Sequence, residues 1–388
     1  MKTFIADYVF PVHADPVKNG LITVDDDGKI VALSDNPSDH HNPNTEKLNG
    51  IICPGFINTH CHLELSHLKD KLTIGSGLVQ FIKNVQSTRK ADDAEVFAAA
   101  ERSDSDMYER GIVAVGDISN SAITAPVKAK SKLYYHTFVE TFSFLPARAQ
   151  EIFDNGLALV EEFKPNASLT PHAPYSVSKE LFKLIKNYAD KNTNLLSIHN
   201  QECEDENKFY RYKLGGFLDL YDSFGLNIDF FKPQARNSLQ SILPLLSSKQ
   251  RILMVHNTCT NLKDIYFTKR FDKKITWCFC PNANLFIEKR LPKVELFLGQ
   301  GDSLTLGTDS LASNTKLCIL SEMITLQQNF PALDTARLLE WATINGAKFL
   351  GIEADKGSLQ IGKTPGLNLI SGLNDLKLTA DSKVTRLI

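Results

Sequence analysis

The segment Pro54-Gly55-Phe56-Ile57-Asn58-Thr59-His60-Cys61-His62-Leu63-Glu64 places two imidazoles two residues apart at the end of an apolar run. In a strand, residues i and i+2 point to the same face. His60 and His62 then aim at one point, the arrangement needed to hold one metal ion. Further groups of the right type end short apolar runs down the chain: His172, His199, His256 and Asp309. His60, His62, His199 and Asp309 together make three imidazoles and a carboxylate, a set that suits one zinc ion and also iron(II). Taken singly, His199 equally caps a buried strand, and Asp309 equally serves as a helix N-cap.

Water polarised by such an ion still needs a carboxylate to move its protons. Glu202, three residues past His199, is the candidate. Its neighbours Glu204, Asp205 and Glu206 read as a solvated charge run. His256 is placed to steady the attacking hydroxide and a developing oxyanion. His172 is a candidate substrate contact, or a histidine satisfied within the core. Ser313 and Asn314 meet substrate oxygens or cap a helix. Glu64 binds a substrate amine or hydroxyl, or pairs locally with Lys69. His13, His40, His41 and His136 read as structural or surface residues.

Chemistry of this kind needs elements that bring distant residues together. Between about residues 52 and 350, short apolar runs alternate with longer amphipathic ones. Strands are predicted at 55–59, 112–117, 132–140, 168–171, 195–199, 251–256, 275–280 and 303–307. Helices are predicted at 78–88, 91–110, 179–191, 238–246 and 318–328. That alternation is an α/β pattern and matches a (β/α)8 TIM barrel, whose chemistry lies at the C-terminal strand ends. The candidate residues fall there. Some two-metal barrels use a bridging lysine on the fourth strand. Ser168-Leu169-Thr170-Pro171-His172 has none, so one metal is expected. Residues 1–52 and 353–388 read as strands of a small β-sandwich domain built from both termini, with 53–352 as the barrel. Asp25-Asp26-Asp27-Gly28 has hairpin turn chemistry, 35–46 reads as a loop, and 357–363 resumes the strand style.

The chain has 388 residues, 43% hydrophobic and 23% charged, which is ordinary for a globular protein with a large core. A net charge of −2 gives no reason to expect nucleic acid or an anionic membrane as partner. No apolar run approaches a membrane span, and the N-terminus lacks a signal-peptide pattern, so a cytoplasmic protein is expected. Seven scattered cysteines, an odd count, argue against a disulfide framework and read mostly as small apolar residues. A small-molecule substrate is the expected partner, and barrels of this size often form homodimers.

The motifs Pro54–His62, Thr170-Pro171-His172-Ala173-Pro174-Tyr175, Ser197-Ile198-His199-x-x-Glu202, Val255-His256, Cys280-Pro281-Asn282-x-Asn284 and Leu306–Asn314 resemble the amidohydrolase superfamily. They are most similar to its aminohydrolase branch, which includes adenosine, guanine and cytosine deaminases and the triazine chlorohydrolases. The resemblance implies His60, His62, His199 and Asp309 as ligands of one metal, Glu202 as proton shuttle, His256 as electrostatic partner, and His172 and Ser313 as substrate contacts. Within the branch, His62–Leu68, Gly75-Ser76-Gly77, Phe81-Ile82 and Gly307–Asn314 are similar to the aminodeoxyfutalosine deaminases of menaquinone biosynthesis. The expected activity is hydrolytic deamination of a 6-aminopurine nucleoside. Other purines or pyrimidines, a cyclic amide or a chlorotriazine are the alternatives, and a barrel that only binds a partner is a third class. Two departures fall near the expected pocket: His199-Asn200-Gln201-Glu202 replaces His-Leu-Ala-Glu, and Asn282 replaces a basic residue.

Overall fold

The computed structural model describes residues 1–35, 45–301 and 303–388. The predicted loop at 35–46 lies outside the described residues except at its ends, and so do His40 and His41. Apolar–polar alternation near the N-terminus gives β1 (Lys2–Val9), β2 (Val17–Lys18), β3 (Leu21–Val24), β4 (Ile30–Ser34) and β5 (Thr45–Pro54). Asp25 turns β3 into β4: its Oδ1 accepts from Asp27 N at 3.0 Å and Lys29 N at 2.9 Å, and Gly28 takes φ 77°.

The middle of the chain forms β6 (Phe56–Cys61), β7 (Ile112–Ser119), β8 (Tyr134–Thr141), β9 (Ala167–Pro171), β10 (Leu196–Asn200), β11 (Arg251–His256), β12 (Lys274–Phe279) and β13 (Ser303–Leu306). These are the eight predicted strands, shifted by a residue or two at most ends. They are nearly continuous apolar runs because parallel strands are buried on both faces; β6 and β7 are buried at every residue. The predicted helices appear at Leu78–Thr88, Asp93–Glu109, Lys179–Ala189, Ser238–Ile242 and Ile319–Asn329. The fourth is cut short because Pro244 turns Leu243–Leu245 into a 3-10 segment.

The eight parallel strands pair as two sheets, β6-β7-β8-β9 and β10-β11-β12-β13. Both seams between the sheets are bonded. At one, Ser197 N donates to Thr170 Oγ1 at 2.7 Å, Thr170 Oγ1 donates to Ser197 O, and His199 N donates to His172 O at 2.9 Å. At the other, Thr308 N and Asp309 N donate to His60 O at 3.0 and 3.1 Å, while Asn58 Nδ2 donates to Thr308 Oγ1 at 2.8 Å. Ile57, Phe138, Leu253 and Val255 fill the space between the sheets against Phe349, from the helix Ile344–Leu350.

At the far end, β14 (Leu367–Ser371) and β15 (Lys383–Arg386) join the N-terminal strands in one seven-stranded mixed sheet. Its order is β15-β14-β5-β1-β3-β4, with β2 on β1. Residues 357–363 are not a strand: Gly357 and Gly362, at φ 85° and 92°, bend the chain there. All seven cysteines are buried and free. Among the described residues, no helix is long and apolar enough to cross a membrane.

Thr170 tests the seam. Thr170→Val keeps the shape but leaves the buried Ser197 N–H without its acceptor, and is expected to cost about 1–3 kcal/mol. A urea unfolding midpoint equal to wild type would show that the seam does not depend on this bond.

Candidate active site

The C-terminal strand ends bring the predicted metal ligands to one point. His62 Nε2 lies 3.2 Å from His60 Nε2, 3.3 Å from His199 Nε2 and 3.4 Å from Asp309 Oδ1. His60 Nε2 is 3.8 Å from the same oxygen. One imidazole proton can serve only one of these pairs, so the cluster is rich in acceptors facing each other. Donor atoms on a tetrahedron with bonds of about 2.0–2.1 Å stand about 3.3 Å apart; the three distances from His62 match that, and His60, His62 and Asp309 offer atoms within 4.8 Å of one another, so these residues fit a divalent ion. His199 Nδ1 donates to His172 O at 3.0 Å, which fixes the tautomer and leaves Nε2 with its lone pair. Ser313 Oγ donates to Asp309 Oδ2 at 2.7 Å and orients that carboxylate. Asp117, in β7 and paired with Lys128 at 2.6 Å, accepts from Leu63 N at 2.8 Å and so anchors the chain immediately after His62.

The backbone is strained where the side chains converge. Gln201, His256, Asn257 and Asp309 have φ of 46°, 71°, 59° and 57°, each just past the end of a strand or at its last residue. Such conformations cost about 1–3 kcal/mol each and persist only where surroundings enforce them. Glu206 is one enforcer. Expected in a solvated run, it is fully buried, and its carboxylate accepts from Gln201 N at 3.0 Å and Glu202 N at 3.4 Å. It lies in the first turn of the helix Glu204–Tyr212 and reaches back over the turn that carries Glu202.

Glu202 Oε2 and His256 Nε2 face each other at 3.7 Å, too far for a hydrogen bond and wide enough for a bridging donor. Asn284 Oδ1 accepts from His256 Nδ1 at 2.9 Å, leaving Nε2 as an acceptor. Burial, with the Asp309 and Glu288 carboxylates, holds Glu202 well above the usual carboxylate range. Burial and the neighbouring imidazoles push His62 and His199 down to about 3, and burial with His256 and Arg89 pushes His172 to about 4. His60 is held well below its ordinary value for the same reasons as His62.

A cavity of about 430 Å³ opens onto His62, His172, His199, Glu202, His256 and Asp309. The rest of its wall is largely apolar, with Leu78, Phe81, Ile82 and Val85 on one helix and Phe142, Phe144, Leu220 and Phe224 opposite. His172 lines it, with Nδ1 2.6 Å from Ser176 Oγ. Glu64 and Ser313 do not line it. Glu64 is buried beneath the wall, accepting from Asn120 N at 3.0 Å and Ser121 N at 3.2 Å, with Arg89 rather than Lys69 as its ion-pair partner at 3.4 Å. The polar departures also lie outside the wall. Gln201 Nε2 donates to Asp264 Oδ2 at 3.0 Å, Asn200 Nδ2 to Asn257 Oδ1 at 3.0 Å, and Asn282 Nδ2 to the buried Glu322 at 2.9 Å. Sequence reasoning missed Arg89, Asn120 and Glu140. Glu140 had a signal, since it stands near the end of a predicted strand where barrel chemistry collects; Arg89 and Asn120 follow elements with no local pattern to mark them.

Parallel strands bring imidazoles and a carboxylate together at their ends, in an α/β fold, as a group able to hold a metal ion. The chain matches the amidohydrolase family over residues 51–386 and belongs to it; it is an enzyme, a hydrolase of carbon–nitrogen bonds. It is 28% identical to an adenosine deaminase of Helicobacter pylori, over 88% of this chain and 83% of that protein. It is 26% identical to an aminodeoxyfutalosine deaminase of Nitratiruptor sp., over 83% of this chain and 79% of the other. The crystal structure of Helicobacter pylori aminofutalosine deaminase in complex with methylthio-coformycin superposes with a TM-score of 0.81, at 22% identity, covering 100% of both chains.

Protons compete with a metal only near and below the ligand pKa. With the imidazoles already neutral at pH 5, zinc affinity of the metal-free protein should stay level from about pH 7.5 to 5.5, whereas ordinary histidines with pKa near 6.5 would lose about a hundredfold or more. Competition against a chelator across that range checks this, and a steep loss would contradict it.

Proposed function

We propose that this enzyme is a metal-dependent deaminase that hydrolyses the amino group from a heteroaromatic ring and releases ammonia. The observation that carries the reading is the 3.7 Å gap between Glu202 and His256, set beside His62, His172, His199 and Asp309 in a largely apolar cavity. His60, His62, His199 and Asp309 are read as the ligands of one divalent ion, zinc by the donor set. Bound there, such an ion supplies Lewis-acid polarisation of water.

The chain's own groups do the rest. Glu202 takes a proton from water and gives it to a ring nitrogen as the hydroxide adds to the amino-bearing carbon; it then takes the proton of the new hydroxyl and delivers it to the leaving nitrogen, so that ammonia departs and the ring carbonyl forms. A carboxyl group raised by burial suits a shuttle that must hold a proton near neutrality. His256, neutral and with its Nδ1–H fixed by Asn284, accepts from water and orients it. Acting as donor to an oxyanion, the role expected from the sequence, would require the imidazolium. His172 is read as a substrate contact.

The supporting frame is read as a (β/α)8 barrel over 53–352, closed at the two bonded seams. Residues 1–52 and 353–388 are read as a small β-sandwich. Gly28, beside β4, lies against Ile388, beyond β15, although β4 and β15 are at opposite ends of the strand order, so the sheet curls upon itself. The finer substrate is a 6-aminopurine nucleoside, with 6-aminodeoxyfutalosine of menaquinone biosynthesis first. The names of the relatives support this, as does a cavity volume within the usual range for a small molecule.

Ammonia release and the ultraviolet change of deamination should appear with 6-aminodeoxyfutalosine, 5′-deoxyadenosine, S-adenosylhomocysteine or adenosine, and not with a chlorotriazine. Release of chloride alone would overturn the reading. Glu202→Gln should retain its metal and lose at least about a hundredfold in kcat. A variant turning over near the wild-type rate would remove Glu202 from proton transfer.

A further inference from the structure

We propose that Glu140 reads the hydroxyl groups of the substrate's sugar, a specificity role that rests on the nucleoside reading above. Three carboxylates reach the cavity: Glu140, Glu202 and Asp309. Asp309 belongs to the ligand cluster and Glu202 to proton transfer, so Glu140 is the one without a task. It lies near the end of β8, 7% exposed, and it opens onto the cavity.

A carboxylate offers about four acceptor positions. Oε2 of Glu140 receives Asn120 Nδ2 at 3.2 Å. Oε1 lies 3.4 Å from His199 Nδ1, whose proton is directed to His172 O at 3.0 Å. Acceptor capacity is therefore left over facing the cavity, where the hydroxyls of a bound molecule supply donors. The carboxylate is held for that purpose: Asn120 Nδ2 also donates to Glu140 O at 3.1 Å, and Asn120 N to Glu64 Oε2 at 3.0 Å.

Neutral donors suit the position better than a second cation. The Arg89 guanidinium, paired with Glu64 at 3.4 Å, already lines the same cavity. Two hydroxyls on adjacent carbons match the two oxygens of one carboxylate. Glu140, His172 and His199 offer atoms within 4.8 Å of one another, so Glu140 stands one side chain away from the ligand cluster. A purine held at the cluster then has its sugar within reach.

The test compares adenosine with 2′-deoxyadenosine and 3′-deoxyadenosine on the metal-loaded enzyme. The wild type should favour adenosine by about ten- to hundredfold in kcat/KM. Glu140→Gln should reduce that ratio to about threefold or less, with metal content unchanged, and Glu140→Asp should fall between. If Glu140 merely positions His199, Glu140→Gln will slow all three nucleosides equally and keep the ratio, which overturns the proposal. If none of the three nor any nucleoside of the wider panel releases ammonia, the deaminase reading fails separately. Calorimetric binding of the same three nucleosides then decides on Glu140: equal wild-type affinities overturn it, and a hydroxyl preference lost in Glu140→Gln upholds it.

Discussion

Buried groups with acceptor atoms crowd together here from both parallel sheets, 3.2–3.8 Å apart, with too few protons to serve every pair. His60, His62, His199 and Asp309 stand in that relation. His172 O fixes the His199 ring and Ser313 the Asp309 carboxylate, and a cation is the group that relieves such crowding of acceptors. Much of the architecture around the strand ends enforces it. Asp117 holds the turn after His62, Ser313 holds Asp309, and the seam bonds hold the sheets in register. Positive φ at His256, Asn257 and Asp309 is the local cost of aiming the groups inward.

Around this floor, polar groups divide into two populations. Those facing the cavity are few and lie beside the ligand cluster. Those behind it form saturated networks: Gln201 with Asp264 and Asn207, Asn282 and Asn314 with Glu322, Asn284 with Thr258. Burial pushes the Glu322 carboxyl up to about 8 and Glu206 to about 7 despite several donors to each. Such networks make the loops at the strand ends rigid, so the cavity can be apolar and still hold a few polar groups in fixed positions.

Legibility followed the range of the interaction. The eight strands were readable because burial on both faces leaves long apolar runs, and β7 and β8 appear close to their predicted bounds. The ligand set was readable because each member ends or closely follows such a run. Within the charge run, Glu204 is exposed as expected and Asp205 half-buried, but the helix that begins there turns Glu206 inward over Gln201 and Glu202. Glu64 and the Asn200–Gln201 pair were misplaced toward the substrate for a similar reason. Polar side chains near a site look alike in sequence whether they face the cavity or brace it from behind.

The sequence by itself determined the alternation of strands and helices, the His60-x-His62 pair, and the order in which His199, Glu202, His256 and Asp309 would appear. Those depend on periodicity and on residue type, which are local properties. Only the tertiary structure decided that His60, His199 and Asp309 gather around His62 from three strand ends, which tautomer His199 and His256 adopt, and which carboxylates see the cavity. It separated Glu140 from Glu64, two acids of the same type near the ends of β8 and β6, which flank β7 in one sheet. Glu140 opens onto the cavity, while Glu64 is spent on backbone amides 56 and 57 residues away. The difference is the direction of a side chain relative to a closed set of strands, and that direction exists only after the chain ends have met.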